Sequence, residues 1–100
     1  MKIKFTPSAR GQFLDAIEYI TEDNPLAAQR LRVRVEKELK HLITFPSGGR
    51  KIPEFQELPH RELIVDPYRL FYRVVGDIIW VVAFWRTSQL PESPEGKSGA

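Results

Sequence analysis

Apolar and polar positions change their spacing along this chain, and each change marks an element. Ile3-Lys4-Phe5 alternates apolar with polar, which predicts a short strand. Phe13, Ile17 and Ile20 then recur at three- and four-residue steps, with Leu14 beside them, which predicts a helix over Pro7 to about Thr21. Thr6-Pro7 is its start signal. The threonine hydroxyl can accept from the orphan amides of the first turn, and proline suits a first helical position because its missing N–H had no partner there. Asn24-Pro25 repeats the signal. Behind it Ala28, Leu31, Val35, Leu39 and Leu42 trace one apolar stripe, so a second helix is predicted from Pro25 to about Thr44, before Pro46 and Gly48-Gly49 end it. The link between the helices is too short for anything but an antiparallel hairpin.

Phe45 to His60 shows no period and holds Pro46, Pro53 and Pro59, which predicts a long connection on the surface. Three strands follow, Arg61–Val65, Tyr68–Val75 and Ile78–Trp85. The two-residue turns Asp66-Pro67 and Gly76-Asp77 separate them and make neighbours antiparallel. Alternation puts Tyr68, Leu70, Tyr72 and Val74 on one face of the middle strand and Arg69, Phe71 and Arg73 on the other. The last strand is apolar on both faces. Ile78, Trp80 and Phe84 fall on one side and Val81 and Trp85 on the other, more aromatic surface than two helices hide, so part of it is expected to await a partner. From Gln89 the chain turns small, polar and proline-broken, a composition expected to stay disordered. The fold class is therefore α+β in the order β-α-α-β-β-β: a helical hairpin on a small, mainly antiparallel sheet, as one domain over 1–88 with a tail over 89–100.

Composition narrows the chemistry. A chain of 100 residues is one domain with one small core. It has no cysteine, which excludes a disulfide scaffold, a thiolate nucleophile and a cysteine zinc site. The longest apolar run, Ile78 to Trp85, is of strand length, and MKIKF leads straight into structure with no secretory signal, so a cytoplasmic protein is expected. The net charge of +2 is a weak pointer to a polyanion. On the outer face of the second helix Arg30, Arg34, Lys37 and His41 line up at helical spacing, either as a wet helix side or as a binding row.

Few catalytic sets are available. His41 and His60 lie on different elements, and no metal-ligand spacing exists, so neither a metal nor a cofactor is expected. Gly48-Gly49-Arg50 does not follow a strand and open a helix, so it reads as a turn rather than a phosphate loop. What remains is arginine, which stays charged and can clamp a phosphate. Arg69 and Arg73 project together, and with Arg61 and Arg86 they are candidates for a basic patch on one sheet face. The competing reading is internal ion pairing with Glu62, Glu57 or Asp66.

Five pieces in order then carry a resemblance. They are Pro7-x-Ala9-Arg10, Asn24-Pro25-x-Ala27-Ala28, Phe45-Pro46-x-x-Gly49-Arg50-x-x-Pro53-Glu54, Arg61-Glu62-Leu63 and Tyr68-Arg69-x-x-Tyr72-Arg73-Val74. Together they resemble the RelE/ParE toxin superfamily, in its ParE-like, plasmid-stabilisation branch, over residues 3 to about 88. The resemblance implies a bacterial toxin of a type II toxin–antitoxin module, held in a hetero-oligomer by a ParD-like or similar antitoxin protein. Its branches differ in target. RelE-type members cut messenger RNA on the ribosome from a basic site, and Arg69 matches their middle-strand arginine. After the last strand, however, this chain reads Trp85-Arg86-Thr87-Ser88 where many relatives carry a histidine followed by basic residues. ParE-type members resemble non-catalytic poisons of DNA gyrase. Losing the nuclease set while keeping the scaffold points to gyrase, with the ribosome-dependent endoribonuclease and a non-toxic interaction domain as alternatives. The residues expected to meet antitoxin or target are Arg61, Arg69, Arg73, Trp80, Phe84, Trp85, Arg30 and Arg34. Arg69, Arg73 and Arg86 are the candidate phosphate clamp.

Overall fold

The computed structural model describes residues 1–95. Its elements are β1 (Lys2–Phe5), α1 (Pro7–Asp23), α2 (Pro25–Thr44), β2 (Arg50–Lys51), a 3-10 turn at Pro53–Phe55, β3 (Arg61–Val65), β4 (Tyr68–Val75) and β5 (Ile78–Arg86). The strands form one sheet in the order β1-β5-β4-β3-β2. β1 joins β5 in parallel and all other pairs are antiparallel, so the α+β order expected from the sequence holds with a mixed sheet.

Both helix starts use the caps read from the sequence. The Ala9 amide donates to Thr6 Oγ1 and the Ala27 amide to Asn24 Oδ1, each at 3.1 Å. Asn24 also closes α1, its own N–H donating to the Ile20 carbonyl at 2.7 Å. One residue therefore ends one helix and starts the next, which is why the hairpin is tight. All five stripe residues of α2, Ala28, Leu31, Val35, Leu39 and Leu42, are buried. With Ala9 and Ile17 of α1 they cover Tyr68, Leu70, Tyr72, Ile79, Val81 and Phe84 of the sheet. Leu14 lies off this face and stays 44% exposed. At the last hairpin Gly76 has a φ of 61°, a left-handed value that glycine adopts without strain.

The other sheet face is not left open. The segment after α2 folds back across it, and Ile52, Phe71 and Ala83 form a second small core with Phe55, Val82 and Trp85 around them. Tyr72 anchors this return from the helix side. Its hydroxyl accepts from the Gly49 amide at 2.9 Å and donates to the Pro46 carbonyl at 2.8 Å. A Cβ on Gly49 would stand 2.6 Å from the Glu62 carbonyl oxygen and from the Tyr72 ring, so only glycine lets the backbone pass there.

Register corrects two expectations. Tyr72 pairs with Val81 and Phe71 with Ala83, so Val82 is an extra residue in β5. Strict alternation put Phe84 with Trp80. The bulge instead turns Phe84 inward, buried and stacked on Tyr68 at 4.8 Å, while Trp85 faces the second core. Among the last described residues Pro91 is buried and Ser93 and Pro94 are half-buried. The end of the expected tail, 96–100, lies outside the described residues. No described helix is long and apolar enough to cross a membrane.

Candidate functional site

The middle-strand arginine is where the sequence reading and the structure part most. Arg69 on β4 is 7% exposed. Its Nε donates to Glu62 Oε1 at 2.8 Å, and its Nη1 and Nη2 take both oxygens of Glu54 at 2.8 and 2.7 Å. Glu62 sits on β3 with a fully buried side chain, and its second oxygen accepts from Arg50 Nε on β2 at 2.7 Å. Phe71 closes the site, its ring centroid 5.1 Å from the Arg69 guanidinium carbon. Four charges therefore alternate Arg50, Glu62, Arg69, Glu54, and the inner two are out of water. The hydrogen bonds that Arg69 donates to Glu54, and then those to Glu62, hold its proton against the cost of burial. Glu54 in turn is held below the usual carboxylate range, chiefly by Arg69.

This arrangement matches the competing reading of internal pairing. Glu62 is among the partners which that reading offers; Glu54 is not. It arrives on the 3-10 turn of a segment with no period, so nothing in the pattern placed it beside Arg69. The guanidinium expected to clamp a phosphate is instead held by its own chain through all three of its nitrogens, and it is not part of an exposed basic face.

The other candidates are dispersed. Arg61 pairs with Tyr72 and therefore lies on the helix-covered side, where its Nη1 donates to the Gly49 carbonyl at 3.0 Å. Arg86 pairs with Tyr68, also on that side, and its guanidinium lies 5.7 Å from the Tyr68 ring centre. The expected patch of Arg61, Arg69, Arg73 and Arg86 on one face is thus split by register. Arg30 is exposed on α2, and Arg34 ties that helix to the β3–β4 turn by donating to the Asp66 carbonyl at 2.8 Å.

What stays accessible on the second face is a row crossing three strands. Lys4 pairs with Trp80, and Trp80 with Arg73. The Lys4 ammonium lies 5.8 Å from the indole centre, and Arg73 is exposed. Among the described residues neither cation makes an ion pair. His60, next to this row, is 3% exposed with Nδ1 unpaired among the described residues. Burial first, and then the nearby Arg73, hold its imidazole below the usual histidine value. A neutral ring sealed from solvent is poorly placed to exchange protons with a substrate. Among the described residues the buried Trp85 Nε1 is unpaired as well. Among the described residues no group of three His, Asp or Glu side chains is disposed to hold a metal.

A family model described as "ParE toxin of type II toxin-antitoxin system, parDE" matches residues 3–91. A solved structure titled "Chromosomal ParDE TA system from P. aeruginosa" superposes with a TM-score of 0.67 at 20% identity, covering 86% of this chain and 95% of that one. At that identity the likeness is one of fold. No curated protein matches the sequence.

Proposed function

The chain belongs to the ParE toxin family, and from that premise we propose that it acts by binding DNA gyrase rather than by cutting RNA, with a cognate antitoxin protein neutralising it. The observation that carries this reading is the internal pairing of Arg69, whose three nitrogens all bond carboxylates of its own chain. In-line attack by a 2′-hydroxyl on a scissile phosphate needs a free cation to take up charge, and a proton acceptor and donor within reach. Arg69 spends its donors on Glu54 and Glu62, and freeing it would strand a buried carboxylate. His60, the histidine that Arg73 acts on, is buried. The scaffold persists while the chemistry that a nuclease needs on β4 is turned inward, which supports a protein that works by contact. Arg73, Trp80 and Lys4 offer the exposed contact row, and an acidic antitoxin segment suits the same cations.

Purified protein incubated with gyrase and plasmid is expected to block supercoiling or to trap cleaved DNA, and the product of the neighbouring reading frame is expected to reverse this. Primer extension on translated message after induction is expected to show full-length transcripts. Ribosome-dependent cuts together with untouched gyrase would overturn the proposal in favour of the endoribonuclease.

A further inference from the structure

The sheet ends differently along its two borders, and one stretch is held open by borrowed groups. β2 is two residues long and offers no ladder. β1 has four residues, with exposed Lys2 and Lys4 among them, a common way of blunting an edge. β1 stops at Phe5, opposite Val81, and the Thr6 amide takes the Val81 carbonyl at 2.9 Å as the chain turns into α1. Beyond that point β5 continues to Arg86 with no strand on its outer side among the described residues. Its outward amides there are satisfied by side chains: Phe84 N–H donates to Gln12 Oε1 at 2.8 Å and Arg86 N–H to Gln89 Oε1 at 2.9 Å. The two donors are two residues apart, the interval at which a strand presents amides to one neighbour.

Between this stretch and α1 runs an open groove of about 560 Å³, lined by Ala16, Tyr19, Tyr68 and Phe84, with Asp15 from α1 and Arg86 from β5 as its charged members. Tyr19 is 70% exposed. Arg86 lies along the groove and, among the described residues, makes no ion pair.

We propose that this edge is a strand-addition site, and that its occupant is an extended segment of the antitoxin carrying a carboxylate opposite Arg86. A glutamine amide oxygen is a stand-in for a strand carbonyl. It keeps these donors, one half-buried and one exposed, paired in the free protein, and it swings away on a flexible side chain when a true ladder forms. The spacing of the donors selects a backbone as the ligand, and Arg86, on the strand side of the groove away from Asp15 of α1, is the cation that its carboxylate would meet. The inference rests on the antitoxin reading above and adds where and how the partner is held.

The test measures amide exchange by NMR on the full chain, free and with antitoxin, and affinity by calorimetry for Arg86→Ala and Arg86→Pro. Proline removes the outward donor without removing a bond to β4, and alanine controls for the lost charge. On binding, the Phe84 and Arg86 amides are expected to exchange at least tenfold more slowly. The proline variant is expected to bind about tenfold more weakly than the alanine variant, the equivalent of one hydrogen bond left unmade. Antitoxin that binds while both amides exchange as before would overturn the site and leave the function standing. Antitoxin that does not bind would overturn both. Protection that rises with toxin concentration alone would assign the edge to a second copy and overturn the occupant. If the proline variant does not fold, the exchange of the two wild-type amides decides.

Discussion

At the residue scale the molecule turns on Glu62. Its side chain is fully buried between Arg50 and Arg69, on a strand whose pattern marks it only as polar. Coulombic attraction offsets desolvation in such a site only while every member is present. Glu62→Gln keeps the shape and removes the charge, leaving Arg69 with Glu54 alone. It is expected to cost about 3–5 kcal/mol, read as a lower urea midpoint at unchanged slope. A loss within ~0.5 kcal/mol would mean that Glu54 suffices. The sequence named Arg69 as the residue to watch and could not say which way it faces functionally. An arginine alternating with aromatics reads the same whether that face is bare or roofed, and its roof comes from a segment without period.

At the element scale the reading from pattern succeeds where one periodicity dominates. The stripe of α2 fixes five buried positions, and Thr6 and Asn24 fix both helix starts, because capping and spacing are local physics. Leu39→Ala is accordingly expected to cost about 2–5 kcal/mol, whereas Leu14→Ala, off the packed face, is expected to stay within about 0.5 kcal/mol; thermal or urea melting of the pair checks both. Pattern fails on β5. Every residue from Ile78 to Trp85 is apolar, so no polar position records that Val82 is supernumerary, and one uncounted residue moves Phe84 to the opposite side. The capping of this strand by Gln12 was equally hidden, since the two lie 72 residues apart.

At the scale of the whole molecule the sheet has two unlike faces, one under the helical hairpin and one half-covered by the returning segment. The seal over the second face includes a histidine, and that sets a response to acid. His60 is held below its ordinary 6.5 in the folded chain, so the unfolded chain binds the proton more readily. Its contribution is complete above about pH 6.5 and is lost as pH falls through and below that value. Glu54, depressed from 4.5, adds a second loss only at lower pH. Urea midpoints at pH 7.5 and 5.5 should therefore differ, with the lower one at pH 5.5, and His60→Gln should shrink the difference. Equal midpoints in the parent would show that the ring titrates alike in both states. Arg73 and Glu95 both act on this ring, so a partner that takes up Arg73 would shift the response.

The parallel pairing of β1 with β5 has a consequence for manufacture. β1 leaves the ribosome well before β5 and must wait for it, because β5 is the plank nailed between β1 and β4. A translation product that stops short of Ile78 leaves two borders unjoined, and Tyr68, Leu70 and Tyr72 lose their neighbours. Copies that stop before β5 are thus denied the finished shape, and whatever harm the protein does is reserved for chains that include it.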